Sequence, residues 1–211
     1  MKNIVILISG GGSNMRALVE YAQTQPNAHV AAVVSNNPDA AGLAFAQAQG
    51  IATTVVRHQD YASRADFDVA LMAQIDQYAP DVVFLAGFMR ILTADFTKHY
   101  ARRMFNIPPS ILPRFEGLHT PQGALEVGVK VHGAPVHGVT AELDHGPIVL
   151  QSAVPVLADD TADTLAARVL KTEHRIYPQV LDWWLHDRLV WNDDGIRVLP
   201  DAAQVYFESS Q

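Results

Sequence analysis

Asn3-Ile4-Val5-Ile6-Leu7-Ile8-Ser9-Gly10-Gly11-Gly12-Ser13-Asn14 decides the fold. A continuous apolar run of strand length passes directly into three glycines. Met15, Leu18, Val19 and Ala22 then recur at helical spacing. A strand, a glycine turn and a helix in that order open a β-α-β unit, and the rest of the chain continues the alternation. His29–Val34 reads as a second strand ended by Ser35-Asn36-Asn37-Pro38. Ala41–Gln49 reads as a short helix closed by Gly50. Ala52–Val56 is a third strand. Phe67, Leu71, Ile75 and Tyr78 share one face of a longer helix, and Asp81–Ala86 is a fourth strand apolar enough to be buried on both sides. This order predicts an α/β fold, a doubly wound, mostly parallel sheet flanked by helices.

Further along, residues 104–122 are rich in proline and glycine and read as a long loop, a length that usually signals function. Val131–Glu142 and Ile148–Val156 read as two strands joined by Asp144-His145-Gly146. Thr161–Trp184 is a long helix, and the tail offers one short strand, Leu189–Trp191. No repeat or linker interrupts the pattern, so residues 1–211 are expected to form a single domain.

Composition narrows the class. The formal net charge of −7 lacks the basic footprint of a nucleic-acid binder, so a phosphate site would have to be local. The absence of cysteine removes disulfides and thiolate metal sites. The opening apolar run is too short for a signal segment and no stretch is long enough to span a bilayer, so cytoplasmic residence is expected.

Glycines between a first strand and a first helix let backbone approach a ligand, and the N–H groups at the helix start attract an anion. Ser13 and Asn14 could cap the helix or donate to phosphate oxygens. The plainer alternative is a tight turn with an N-cap and no ligand. A dinucleotide fold would need an acid at the end of the second strand, where Val34-Ser35-Asn36-Asn37 stands, and a clean G-x-G-x-x-G; a P-loop would need its lysine. The loop therefore fits a phosphomonoester better than NAD or ATP.

Ala86-Gly87-Phe88-Met89-Arg90-Ile91-Leu92 follows the fourth strand, at the carboxyl edge where α/β sheets bind ligands. Phe105-Asn106-Ile107-Pro108-Pro109-Ser110, Gly117-Leu118-His119-Thr120 and Glu142-Leu143-Asp144-His145-Gly146 follow. With these motifs in this order, the sequence resembles the folate-dependent glycinamide ribonucleotide formyltransferases essentially end to end. The resemblance implies a Rossmann-like formyltransferase fold. It also implies formyl transfer from 10-formyltetrahydrofolate, as co-substrate without a metal, to the amine of 5-phosphoribosylglycinamide in de novo purine biosynthesis.

By position, the resemblance implies that Gly12, Ser13 and Asn14 form the phosphate loop and that Glu173 contacts the ribonucleotide. It places Arg64 near the folate. Met89, Arg90, Ile91 and Leu92 line the pterin pocket, and Thr140, Ala141, Glu142, Leu143 and Asp144 form the loop against the ring. A contact near position 170 is not carried over, because Leu170 cannot donate a hydrogen bond. Asn106 is suited to stabilising a tetrahedral oxyanion and Asp144 to moving the proton. Where the family pattern reads Asn-Ile-His-Pro, this chain reads Asn106-Ile107-Pro108-Pro109, and Pro121 stands where histidine is common. Proline has no donor and no titratable group. Activity is therefore expected to be reduced; the alternative is an inactive folate and ribonucleotide binder of the same fold. His145 and His119 are the candidates to substitute for the missing imidazole.

Without the resemblance, Asn106 and Asp144 would be turn residues, Arg64 a surface charge, and Glu173 a solvated helix acid. His132 and His137, five apart, make no convincing metal pair. His29, His58, His99, His174 and His186 have no assigned role. Only small-molecule partners are expected, with no nucleic acid or membrane, on a monomer or homodimer. Formyl transfer to tRNA or hydrolysis would call for further domains. A dehydrogenase lacks its ribose-binding acid.

Overall fold

Residues 1–108, 120–142 and 146–208 are described by a computed structural model. Pro109–His119, Leu143, Asp144 and His145 lie outside the described residues. Contacts divide the chain into two units, Met1–Asn106 with Gly138–Leu143, and Ile107–His137 with Asp144–Gln211.

The first unit alternates as the sequence predicts. Strand β1 (Lys2–Ile8) leads into helix α1 (Ser13–Gln23), β2 (Ala28–Ser35), α2 (Gly42–Ala48) and β3 (Ala52–Val55). A turn of 3-10 helix (His58–Asp60), α3 (Arg64–Asp76) and β4 (Val82–Leu85) follow, then α4 (Ala94–His99) and β5 (Met104–Asn106). The strand order is β5-β4-β1-β2-β3, with all four pairings parallel. The chain runs outward from β1 to β3 and then returns to the other side of β1, so the winding reverses between β1 and β4. Right-handed crossovers of this kind put helices on both faces.

Both faces are apolar, which explains why the strands read as unbroken hydrophobic runs. Val5, Leu7, Val34, Val83 and Leu85 pack with Phe67, Leu71 and Ile75 of α3, Phe96 of α4 and Tyr100, which caps α4. Ile4, Ile6 and Ile8 point to the opposite face and are equally buried, as are Met15, Leu18 and Val19 of α1. Two elements differ from the sequence reading. Phe105 and Asn106, read as the start of the long loop, form β5 with Met104. Helix α4 is a short element set by its cap, with the Thr93 hydroxyl accepting from the Phe96 N–H at 3.3 Å.

In the second unit, α5 (Thr120–Val127) takes up the end of the stretch read as loop. The strand expected over Val131–Glu142 divides into β6 (Val131–His132) and β7 (Pro135–Gly138), both antiparallel to β8 (Ile148–Pro155). Gly133 causes the division. A Cβ there would lie 2.0 Å from the Ser152 carbonyl oxygen, so two backbones meet where only glycine fits. His132 is fully buried, and burial pushes its imidazole down toward the neutral form. Helix α6 (Ala162–Leu185) begins in a capping box between Thr161 and Thr164. The tail is richer than expected: β9 (Leu189–Asn192) and β10 (Gly195–Val198) form a hairpin, and β11 (Val205–Phe207) pairs parallel with β8. No helix among the described residues is long and apolar enough to cross a membrane.

The start of α6 is braced by an ion pair. Arg168 donates to Asp160 through two nitrogens at 2.7 Å each and to the Pro155 carbonyl at 2.9 Å. The guanidinium holds the Asp160 carboxyl well below the usual carboxylate range. A depressed carboxyl stabilises the fold fully above its unfolded pKa of about 4, and that stability is lost as pH falls from there toward the folded value. Arg168→Met is expected to cost about 2 kcal/mol or more at pH 7. The gap in Tm between wild type and variant should narrow as the pH is lowered below about 4. A gap independent of pH in thermal melts would refute this assignment.

Candidate active site

Strand register brings four strand ends together at the carboxyl edge of the first unit's sheet. Ile8 lies opposite Ser35, Leu7 opposite Leu85, and Leu85 opposite Asn106. The winding reverses between β1 and β4, so the loops after these two strands diverge and leave a crevice, the position where open α/β sheets hold ligands. Those loops carry Gly10–Asn14 and Ala86–Leu92.

Gly12 is the N-cap of α1 and has φ 72°, the left-handed region that favours glycine. A Cβ there would also press on Met15 Cε at 2.7 Å and Gly42 Cα at 3.2 Å. Among the described residues no side chain caps this helix and no acid stands in its first turn. Ser13 is therefore the first helical residue, and its exposed side chain does not act as a cap. The partial positive charge of the helix start is left for an anion. Gly10 and Gly11 differ from Gly12, since a Cβ on either would meet nothing within 4 Å. Gly42 N–H donates to the Gly10 carbonyl at 3.0 Å, which ties the loop to the start of α2.

The segment after β4 is anchored at both ends. At its start, Ser9 N–H donates to Gly87 O at 3.1 Å and Met89 N–H donates to Ser9 Oγ at 2.8 Å. At its end, Thr93 N–H donates to Asp68 Oδ2 at 2.7 Å. Between the anchors, Met89 and Ile91 are 57% and 53% exposed, and large apolar side chains held in the open suit an apolar or aromatic ligand. Phe88 and Leu92 are partly buried against the core cluster, as is Val139, whose N–H donates to Met104 O at 2.9 Å. The segment expected to line the pterin pocket thus packs on the same apolar cluster as the stretch leading into residues 140–142. Arg90 is half-buried, with its guanidinium carbon 5.9 Å from the centre of the Phe67 ring.

The other candidates fall as follows. Asn106 is half-buried at the end of β5. Arg64 is exposed at the first position of α3, after the Ser63 cap. Thr140 donates to the Glu142 carbonyl at 3.3 Å, and Ala141 and Glu142 are exposed. Glu173 lies on α6 in the second unit and is only 5% exposed, which rules out the reading of a solvated helix acid. Pro108 is buried. Leu143, Asp144, His145 and His119 lie outside the described residues. No group of three or more His, Asp or Glu side chains among the described residues could hold a metal.

Two site residues were missed from sequence. Asp68 is 1% exposed, and its other oxygen has no partner among the described residues. Its signal was available, because Asp68, Leu71 and Ile75 fall at i, i+3 and i+7 on the buried face of α3. Ser9 gave no such signal, since its role arises from contacts 27 and 80 residues away.

The glycines supply a stability test. Gly12→Ala should cost about 1–2 kcal/mol through its left-handed backbone, lowering Tm by several degrees. Gly10→Ala should leave Tm within about 1–2 °C, because it meets open space. Equal losses in differential scanning calorimetry would contradict this account of the loop.

Comparison with known proteins bears on the chemistry. Residues 2–181 match the family model described as formyl transferase. The chain is 49% identical to the phosphoribosylglycinamide formyltransferase of Escherichia coli over 207 residues, 95% of this chain and 97% of that protein. It is 43% identical over 179 residues, 84% of this chain, to the trifunctional purine biosynthetic protein adenosine-3 of Bos taurus, of which the match covers only 18%. The solved phosphoribosylglycinamide formyltransferase of Coxiella burnetii superposes with a TM-score of 0.91 at 40% identity, covering 98% of each chain.

Proposed function

The chain belongs to the formyl transferase family, and on that premise we propose that it transfers the formyl group of 10-formyltetrahydrofolate to the amine of 5-phosphoribosylglycinamide, a step of de novo purine synthesis. The observation that carries the reading is the pairing of two loops across the β1/β4 crevice. One is an uncapped helix start suited to a phosphate, and the other an anchored segment with exposed apolar side chains suited to a pterin. The family match runs through both units, which supports treating residues 1–211 as one catalytic domain.

In this reading the phosphate of the ribonucleotide accepts hydrogen bonds from the N–H groups of Gly12, Ser13 and Asn14, and Glu173 contacts the same ligand. Met89, Arg90, Ile91 and Leu92 line the folate pocket, with Thr140, Ala141, Glu142, Leu143 and Asp144 against the pterin and Arg64 near the rest of the folate. The substrate amine attacks the formyl carbon, forming a C–N bond and a tetrahedral oxyanion. Asn106 donates from its side-chain amide to that oxygen without changing its own charge. The C–N bond to the folate then breaks. Asp144 passes the proton lost by the attacking amine to the departing folate nitrogen, directly or through water.

Pro108 bears on rate rather than on identity. A buried proline offers neither a donor to the oxyanion nor a proton. Loss of one oxyanion donor costs on the order of 10²–10³ in rate. Pro108→His is expected to raise kcat by about that factor while changing the affinity for either ligand little. The same proline favours a second reading, a protein that binds both ligands without turning them over. Calorimetric titration with tetrahydrofolate, run beside a formyl-transfer assay followed by appearance of deformylated folate, separates the two. Turnover supports the enzyme, and binding with no turnover supports the binder. Equal kcat for the wild type and Pro108→His would refute the role given to position 108.

A further inference from the structure

Ser9 sits where the two loops meet, and each of its polar atoms is engaged. Its N–H donates to Gly87 O at 3.1 Å and its carbonyl accepts from Asn37 Nδ2 at 3.3 Å. Its hydroxyl oxygen accepts from Met89 N–H at 2.8 Å and its hydroxyl proton goes to Asn36 Oδ1 at 2.5 Å. The direction of these bonds is fixed by chemistry. A backbone N–H can only donate, so the Ser9 proton is left for Asn36. The Asn36 amide must then present its oxygen to Ser9 and its nitrogen to His58 Nδ1, 3.3 Å away. Asn36 is 5% exposed, so the amide is held by its surroundings.

One small side chain thus fixes the first residue of the glycine loop and, at the same time, the amide of Met89. Gly10 and Gly11, which follow it, are hemmed in by nothing within 4 Å of a Cβ. Glycine has the widest backbone freedom of any residue, so these two depend on their neighbours for order; Gly10 is tied through its carbonyl to the Gly42 N–H. A phosphate on the N–H groups of Gly12–Asn14 would remove what freedom remains between Ser9 and α1, and because Ser9 already holds Met89 the ordering is passed to the second segment. When one ligand has met the cost of ordering a shared segment, a second ligand meets less of it, and the two bind cooperatively.

We propose that Ser9 is a positioning residue that couples the two ligand subsites, so that ribonucleotide at the glycine loop tightens folate at Met89–Leu92 and folate tightens ribonucleotide by the same factor. Such reciprocity is required of any equilibrium coupling. The proposal rests on the formyl-transfer reading for the identity of the ligands.

The test is isothermal titration of the full chain with 5-phosphoribosylglycinamide and with tetrahydrofolate, each alone and each in the presence of the other at saturation. The unmodified protein is expected to show a coupling of about fivefold or more. Ser9→Ala should bring it to within about twofold of unity, and Ser9→Thr, which keeps the hydroxyl, should restore it. A merely structural role would lower Tm and leave the coupling intact. Absence of coupling in the unmodified protein, or undiminished coupling in Ser9→Ala, overturns the proposal. Failure of both ligands to bind the unmodified protein overturns the functional reading itself, which separates the two failures. Should Ser9→Ala not fold, amide hydrogen exchange on the unmodified protein decides. Ribonucleotide alone is expected to slow exchange at Met89, and an unchanged rate there refutes the link.

Discussion

A parallel sheet whose strands finish in register can do chemistry only if the chain leaving each strand is turned away from its neighbour. In this protein that requirement falls on the passage from Ile8 to Ser13. Ile8 is fully buried, α1 begins five residues later, and the turn is made at Gly12 with a left-handed backbone and no capping side chain. Because the winding reverses between β1 and β4, the chain leaving β4 goes the other way, and the crevice between the two exits is created by topology before any side chain is considered. The ligand segments then differ in how they are held. The glycine loop is fixed at Ser9 and at the start of α1, and Gly42 N–H ties the Gly10 carbonyl to α2. The segment after β4 is held at Met89 by Ser9 and at Thr93 by Asp68.

Those anchors are polar groups in a mostly apolar setting, where an unmade hydrogen bond is costly. Asp68 gives one oxygen to the Thr93 N–H, at a point where α4 begins and an unpaired backbone donor would otherwise be left. Ser9 and Asn36 satisfy one another and pass the constraint to His58. The edge of the sheet therefore carries hydrogen-bonded anchors beside Phe88, Leu92 and Val139, which pack partly buried on the core, and Met89 and Ile91, which stay exposed.

How much of this was readable from sequence follows from the range of the interactions. The buried strands of the first unit and the α1 and α6 helices were legible because burial on two faces, or a repeating apolar stripe, writes itself into adjacent residues. The glycine loop and the segment after β4 were legible for the same reason, being attached to recognisable strands. What stayed hidden is short or depends on distant partners. The β6/β7 division is caused by the Ser152 backbone pressing on Gly133. Strand β9 is legible at Leu189–Trp191, whereas β10 and β11 are four and three residues long and partly exposed, too short for a periodicity to emerge. In sequence the Ser35-Asn36-Asn37 turn ends a strand and lacks a ribose-binding acid; that Asn36 and Asn37 also hold Ser9 emerges only from the fold. The site as inferred from motifs was largely a statement about loops, and the residues that position those loops came from the folded chain.

The central claim is that the crevice between β1 and β4 holds a phosphate on one side and a pterin on the other. The direct measurement is a crystal structure of the chain grown with 5-phosphoribosylglycinamide and tetrahydrofolate. The account requires phosphate oxygens within hydrogen-bond distance of the Gly12, Ser13 and Asn14 N–H groups, with the pterin against the Met89–Leu92 segment. Phosphate density elsewhere on the protein, with the Gly12 turn bare, would contradict it.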